Sequence, residues 1–223
     1  MPQLKNKKIY IYIFLFLLFG SINNKSLVNF NFTKINNINI EGLDKKNNSE
    51  LYKKLDILNI GNLFFLDKEK VSEVINSNNL VEKYTVFKKY PSTLNVKITK
   101  AKFLAKLKKN GKDFFLGSNG KLIKDNSYDQ VLPQIFGKFK NENFFELKRA
   151  IDQSKFEYKE IKNLFFYKSN RWDIETNSGL LIKLPIKNIE KSLMMVSNFL
   201  DNNPEKKIYK IDLRQKNQVI INE

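Results

Sequence analysis

The chain has 223 residues, a formal net charge of +17, and neither Cys nor His. That length holds one or two modest domains, and the missing residue types exclude disulfides, thiol catalysis, imidazole general bases and the usual zinc sites. Only three of the 40 basic residues are Arg (Arg149, Arg171 and Arg214); specific base and phosphate readers lean on the bidentate Arg fork, so no nucleic-acid partner is expected. The Lys excess travels with heavy Asn and Ile usage as a compositional bias, and weak attraction to anionic lipid or cell wall is the one role it leaves open.

Lys5, Lys7 and Lys8 precede an apolar run that includes Ile9, Phe14, Leu15, Leu18 and Phe19 and closes at Gly20-Ser21-Ile22. Its 14 residues from Ile9 to Ile22 make about 21 Å of helix, short of the ~20 residues of a typical span. Length alone therefore also permits a cleaved signal peptide. The flanks favour an uncleaved anchor, because Phe19 or Leu18 falls where a signal peptidase needs a small residue and flanking Lys can snorkel. The positive-inside rule then leaves residues 1–8 in the cytoplasm, residues 9–22 as the anchor and everything after Asn23 outside.

Residues 23–34 read as a polar connector, although Leu27, Val28, Phe30 and Phe32 suggest packing. Ile35, Ile38 and Ile40 lead to Glu41-Gly42, a strand ending in a turn glycine. Ser49 is expected to cap a helix with Leu51, Leu55 and Leu58 on one face, which Gly61-Asn62 breaks. Asp67 caps a second helix that turns Val71, Val74 and Ile75 inward. Tyr84 to Lys88 and Thr93 to Thr99 form a hairpin about Lys89-Tyr90-Pro91-Ser92, since Leu94, Val96 and Ile98 alternate with polar residues. The order is β-α-α-β-β, a docking module in outline.

Beyond it, Phe103 to Lys108 and Asp113 to Leu116 flank Asn110-Gly111, a hairpin signal, and Gly117-Ser118-Asn119-Gly120 is another turn. Residues 142–155 are expected to be helical with Phe145, Leu147, Ile151 and Phe156 as the apolar stripe. Ile161 to Tyr167, Trp172 to Thr176 and Leu180 to Leu184 read as strands. A helix over 189–200 faces Leu193, Val196 and Leu200 inward, and Ile208 to Asn222 supplies the last strand or strands. The fold class is thus α+β, the second domain being a mixed, mainly antiparallel sheet with two helices.

The landmarks Ile40-Glu41-Gly42, Tyr90-Pro91-Ser92-Thr93-Leu94, Gly120-Lys121-Leu122-Ile123, Leu132-Pro133-Gln134-Ile135-Phe136-Gly137, Arg171-Trp172-Asp173, Leu184-Pro185 and Ile211-Asp212-Leu213-Arg214 occur in this order. Each is weak alone. Together they make the chain resemble the bacterial cell-division FtsQ (DivIB) family, with a POTRA domain over residues 35–100 and the family's β domain over 101–223. The resemblance implies a non-enzymatic scaffold of the inner membrane at the division septum, its bulk periplasmic. It also implies binding to FtsB and FtsL and help in recruiting and regulating septal peptidoglycan synthesis.

For chemistry the sequence offers little. The close carboxylate pairs are Asp125 with Asp129, Glu142 with Glu146, and Glu157 with Glu160. A solvated surface explains them better than glycoside hydrolysis, and no cofactor or metal is expected. Trp172 is expected at a core edge in contact with Arg171. The residues from Asp212 to Ile221 are expected to form a strand or a bent pair of strands at a sheet edge, able to accept a partner strand. Carried over from the family as a surface, Arg214, Gln215, Gln218, Val219 and Ile220 are the candidate partner residues, with Arg171 as a cation for an acidic segment. The plainer reading, that they only finish the sheet, stays open. Removing the chain from Asp212 onward, or placing Pro at Gln218 or Val219, is expected to abolish binding in a folded domain. Tyr84 to Phe87 is a second candidate edge, for other division proteins. Two rivals are a POTRA-bearing envelope or secretion assembly factor and a secreted wall-binding or wall-cutting protein.

Overall fold

A computed structural model describes residues 7–22, 34–58, 61–124, 131–215 and 218–222. Residues 1–6, the connector up to Thr33, and the Asp125/Asp129 pair lie outside the described residues. The first helix, α1, spans Lys7–Ile22, 16 residues or about 24 Å. Among the described residues no helix is long and apolar enough to cross a membrane.

The chain divides into two compact units, Met1–Val74 with Thr85–Lys97, and Ile75–Tyr84 with Ile98–Glu223. The first carries β1 (Asn37–Glu41), α2 (Lys45–Ile57), most of α3 (Lys68–Asn76), and the turn-proximal parts of β2 (Val81–Lys89) and β3 (Thr93–Lys100). These three strands make a sheet of order β1-β3-β2, with β1 parallel to β3 in the register Ile38↔Leu94 and Ile40↔Val96. The turn contains a cis Tyr90–Pro91 peptide.

The cap of α2 is Asp44, whose side chain accepts from Asn47 N at 3.0 Å. The expected cap, Ser49, lies inside the helix. The apolar stripe begins only at Leu51, so hydrophobic periodicity misses the polar first turn Lys45-Lys46-Asn47-Asn48. Leu51 and Leu55 are fully buried whereas Leu58 is the C-cap. Asp67 does cap α3, its Oδ1 accepting from Glu69 N and Lys70 N at 3.1 and 3.2 Å.

The second unit is built on nine strands: β4 (Phe103–Lys109), β5 (Lys112–Gly117), β6 (Leu122–Ile123), β7 (Gln134–Phe136), β8 (Ile161–Tyr167), β9 (Arg171–Thr176), β10 (Leu181–Lys183), β11 (Lys210–Asp212) and β12 (Ile220–Asn222). Their order is β12-β11-β10-β9-β8-β7-β4-β5-β6. Asn110 and Gly111, both at positive φ (52° and 73°), close the β4–β5 hairpin. One row of the ladder is apolar across seven strands: Leu107, Ile135, Leu164, Ile174, Ile182, Ile211 and Ile221 stand side by side. Against that row pack α4 (Asn141–Gln153) and α5 (Ile189–Asp201), through Phe144, Leu147, Ala150 and Ile151 from α4 and Leu193 and Val196 from α5. The stripe of α4 starts at Phe144, not Phe145, because residues 144, 147 and 151 share a helix face; Phe145 is half-buried beside it.

Trp172 is buried, its Nε1 donating to Asn143 O at 3.2 Å. Arg171 therefore does not meet it; the guanidinium lies over the Tyr167 ring, 4.6 Å from its centre. On a strand, Arg171 and Trp172 must face opposite sides.

Turn 118–121 holds the segment 76–82. Asn119 Nδ2 donates to Asn79 O and Val81 O, each at 2.9 Å, Lys121 Nζ donates to Asn76 O, and Ser118 Oγ donates to Glu82. These bonds are why the start of β2 belongs to the second unit.

A basic groove at a sheet edge

The apolar row has a charged counterpart on the opposite side of the sheet. The next register line reads Phe136, Phe165, Asp173, Lys183, Asp212 and Ile220 from β7 to β12. Two carboxylates thus flank one Lys across β9, β10 and β11. Each is met by an Arg two residues along its own chain, on the same face. Arg171 Nε donates to Asp173 Oδ1 at 3.1 Å, and Arg214 Nε donates to Asp212 Oδ1 and Oδ2 at 2.8 and 3.0 Å. Asp173 is only 1% exposed and Asp212 6%.

The hydrogen bond from Arg214 holds the Asp212 carboxyl below its ordinary range, against the opposing effect of burial; the Arg214 amide, its charge and that of Lys183 add to it. A depressed acid is stabilising above the unfolded carboxylate pKa, about 3.9, and that contribution is lost as pH falls through the lower folded value. Asp212→Asn is expected to cost about 1–3 kcal/mol at neutral pH, and to flatten the acid limb of stability. Thermal melts from pH 7 down to about pH 3, spanning the carboxylate range, check both.

Beside the Arg pairs runs a groove of about 620 Å³ lined by Arg171, Lys187, Lys191, Arg214, Gln215 and Gln218, with Pro185 and Ile186 from the β10–α5 connection. Its lining holds four cations and no carboxylate. The structure thus brings Arg171, far off in sequence, together with Arg214, Gln215 and Gln218. The sequence reading missed Lys187 and Lys191, the first delivered by the loop before α5 and the second by the first turn of that helix. It also left unread the two i,i+2 pairs Arg171/Asp173 and Asp212/Arg214, whose spacing on strands was the available signal.

Of the two arrangements expected from Asp212 to Ile221, the structure has the pair of strands. β11 ends at Asp212 and β12 starts at Ile220, with Gln218 N donating back to Gln215 O at 3.3 Å in the connection. Gln218 and Val219 therefore precede the edge strand, and Val219 packs half-buried against the core. Ile220 faces outward, 51% exposed. Cutting before Asp212 would remove the last of the three residues of β11, all of β12 and the buried Leu213, so it disrupts the edge and cannot serve as a clean test. The second candidate, Tyr84 to Phe87, lies in β2, an edge of the three-stranded sheet.

Ile9, Phe14, Leu15, Leu18 and Phe19 all lie in α1 and are exposed. Glu142 and Glu146 are exposed on α4, and Glu157 pairs with Lys159 at 2.6 Å. Among the described residues no group of three or more His, Cys, Asp or Glu side chains could hold a metal.

A β-α-α-β-β module followed by a sheet with two helices on one face is the order of elements that the chain presents for comparison. The family model for the POTRA domain, FtsQ-type, matches residues 33–100, and that for the cell division protein FtsQ/DivIB C-terminal region matches 105–214. The chain belongs to the FtsQ/DivIB family of cell-division proteins. It is 27% identical over 172 residues to the cell division protein DivIB of Staphylococcus aureus, an alignment covering 72% of this chain but only 38% of that protein. With the cell division protein FtsQ of Rickettsia bellii it shares 24% identity over 195 residues, covering 84% and 72%. A solved structure, the major extracytoplasmic domain of the trans isomer of DivIB from Geobacillus stearothermophilus, aligns with 49% of this chain and 99% of its own at 14% identity and a TM-score of 0.36.

Proposed function

We propose that this protein is a non-enzymatic division scaffold, held in the inner membrane by α1 with its bulk in the periplasm at the division septum. It binds FtsB and FtsL through β12 and the adjoining basic groove, and so helps recruit and regulate the septal peptidoglycan synthesis machinery. The observation that carries this reading is the pairing of an open strand edge with a groove lined by four cations and no carboxylate. Such a surface suits an acidic segment that adds a strand: main-chain hydrogen bonds set register, and the Arg and Lys side chains select charge. Arg171 and Arg214 are already oriented by their buried Asp partners, so little side-chain freedom is lost on binding.

What supports the anchor is that α1 is apolar on every side from Ile9 to Phe19, with exposed side chains over that run. Such a helix needs an apolar surrounding. At about 24 Å it spans a bilayer by local thinning, with flanking Lys reaching the headgroups. Confinement to the membrane plane raises the effective concentration of membrane-borne partners.

Within this reading residues 35–100 form the POTRA domain and 101–223 the β domain, and the β2 edge receives other division proteins. The direct test is co-purification of the full chain in detergent with FtsB and FtsL, compared with Arg214→Glu. Retention of both partners by the parent and loss by the variant supports the reading; no retention by the folded parent overturns it.

A further inference from the structure

The loop between α2 and α3 reads Leu63-Phe64-Phe65-Leu66, four apolar residues in a row. The core uses only the outer two: Leu63 and Leu66 are buried, while Phe64 and Phe65 are 54% and 76% exposed. Asn62 Oδ1 fixes this arrangement by accepting from Phe64 N and Phe65 N at 3.0 and 3.1 Å. Phe64 also sits 4.9 Å, ring to ring, from Tyr90 in the β2–β3 turn, itself 54% exposed. Nearby, Leu58 at the end of α2 borders the same small cavity as Phe65, and the preceding Ile57 is 81% exposed.

This end of the first unit is also where the chain arrives from α1. Lys34 bridges to Asn62, Ile35 N donates to Gly61 O at 3.0 Å, and Asn36 N donates to Ser92 O at 2.9 Å. From Ile22 to Lys34 is a dozen residue steps, at most about 40 Å of fully extended chain. The local charge is basic. Lys34, Lys53, Lys68 and Lys89 are exposed at this end, against Asp56, Glu69 and an Asp67 already paired with Lys70 at 3.2 Å. The cavity under Phe65, about 190 Å³, is too small to seat the side chains of a protein segment. Projecting aromatic rings beside Lys, tethered close to a membrane helix, fit a headgroup region.

We propose that Ile57, Phe64, Phe65 and Tyr90, with the Lys residues beside them, form a docking face for a bilayer surface carrying anionic phospholipid. The proposal rests on α1 lying in the membrane. Its effect would be to hold the first unit against the bilayer, so that this unit does not sweep freely about its connector.

The absence of Cys permits a clean test in the full chain. Single cysteines replacing Phe65, Glu41 and Leu15 are labelled with an environment-sensitive fluorophore, in vesicles of phosphatidylcholine with or without phosphatidylglycerol and doped with nitroxide lipid. Glu41 ends β1 at the far end of the same sheet, and Leu15 reports the anchor. With phosphatidylglycerol present, the label at 65 is expected to be quenched at least about twofold more than that at 41, and high salt or Lys53→Glu with Lys89→Glu is expected to remove the difference. A label at 65 no more quenched than at 41, while that at 15 is quenched, overturns the docking face alone. An unquenched label at 15 defeats the anchoring on which it rests. Equal quenching in phosphatidylcholine overturns the anionic preference. Shielding from aqueous iodide without nitroxide quenching assigns the surface to protein and likewise overturns the proposal.

Discussion

Deleting residues 219–223 is expected to abolish capture of FtsB and FtsL by the full chain while leaving its far-UV circular dichroism nearly unchanged. The deletion removes β12 and keeps β11, the buried Ile211 and Leu213, and the Asp212–Arg214 pair. The folded state loses the half-buried Val219 and Ile221, a cost of about 1–3 kcal/mol at the scale of partial apolar burial. Binding loses its strand template outright, since main-chain hydrogen bonds supply the affinity in strand addition. Arg214→Glu separates the two contributions. It keeps the strand, exchanges one of the four cations of the groove for a carboxylate, and sets that carboxylate beside Asp212, so binding is expected to weaken by about a hundredfold, in line with loss of a charge pair at an interface. Undiminished retention by the folded deletion variant would sink the edge-strand reading.

Gly137→Ala is expected to be among the most damaging single substitutions for stability. Gly137 follows β7 at φ 102°, and a Cβ there would stand 2.1 Å from Phe166 O and 3.0 Å from its carbonyl carbon. Neither atom belongs to a flexible side chain, so β7 or β8 has to move. Backbone strain at positive φ adds to that steric cost. Together they are expected to exceed about 3 kcal/mol, a fall of roughly 10 °C in thermal midpoint for a chain of this size. Gly179 makes the control. It too has positive φ, 88°, but open space where a Cβ would be, so Gly179→Ala is expected to cost only about 1 kcal/mol. Thermal denaturation of both variants checks the contrast.

Much of the fold is legible in the sequence because its signals are local. The alternation of Leu94, Val96 and Ile98, the Asn110-Gly111 turn and the Asp67 cap each act through neighbours a few residues away. What escaped depends on distance. β7 has three residues, too few for a period of two to register, yet it sits between β4 and β8 near the middle of the sheet. The parallel pairing of β10 with β11 spans the whole of α5, and no local pattern announces it. For the site, Arg171 and Arg214 were recognisable as family landmarks. Lys187 and Lys191 were not, because only the fold carries the start of α5 and the loop before it to the groove.

The parallel pair β10–β11 meets over three residues per strand, Leu181↔Lys210, Ile182↔Ile211 and Lys183↔Asp212. So short a ladder has little hydrogen-bonding preference for one alignment over the next. The side chains supply it: sliding β11 by one position would turn Asp212 into the core in place of Ile211 and strand a carboxylate among Ile182, Ile174 and Leu164. Asp212 thus works as a registration mark, forbidding the neighbouring alignment as much as favouring its own. Because β12 is measured off β11, the same mark fixes the height at which Ile220 and the free strand edge are presented to an incoming chain.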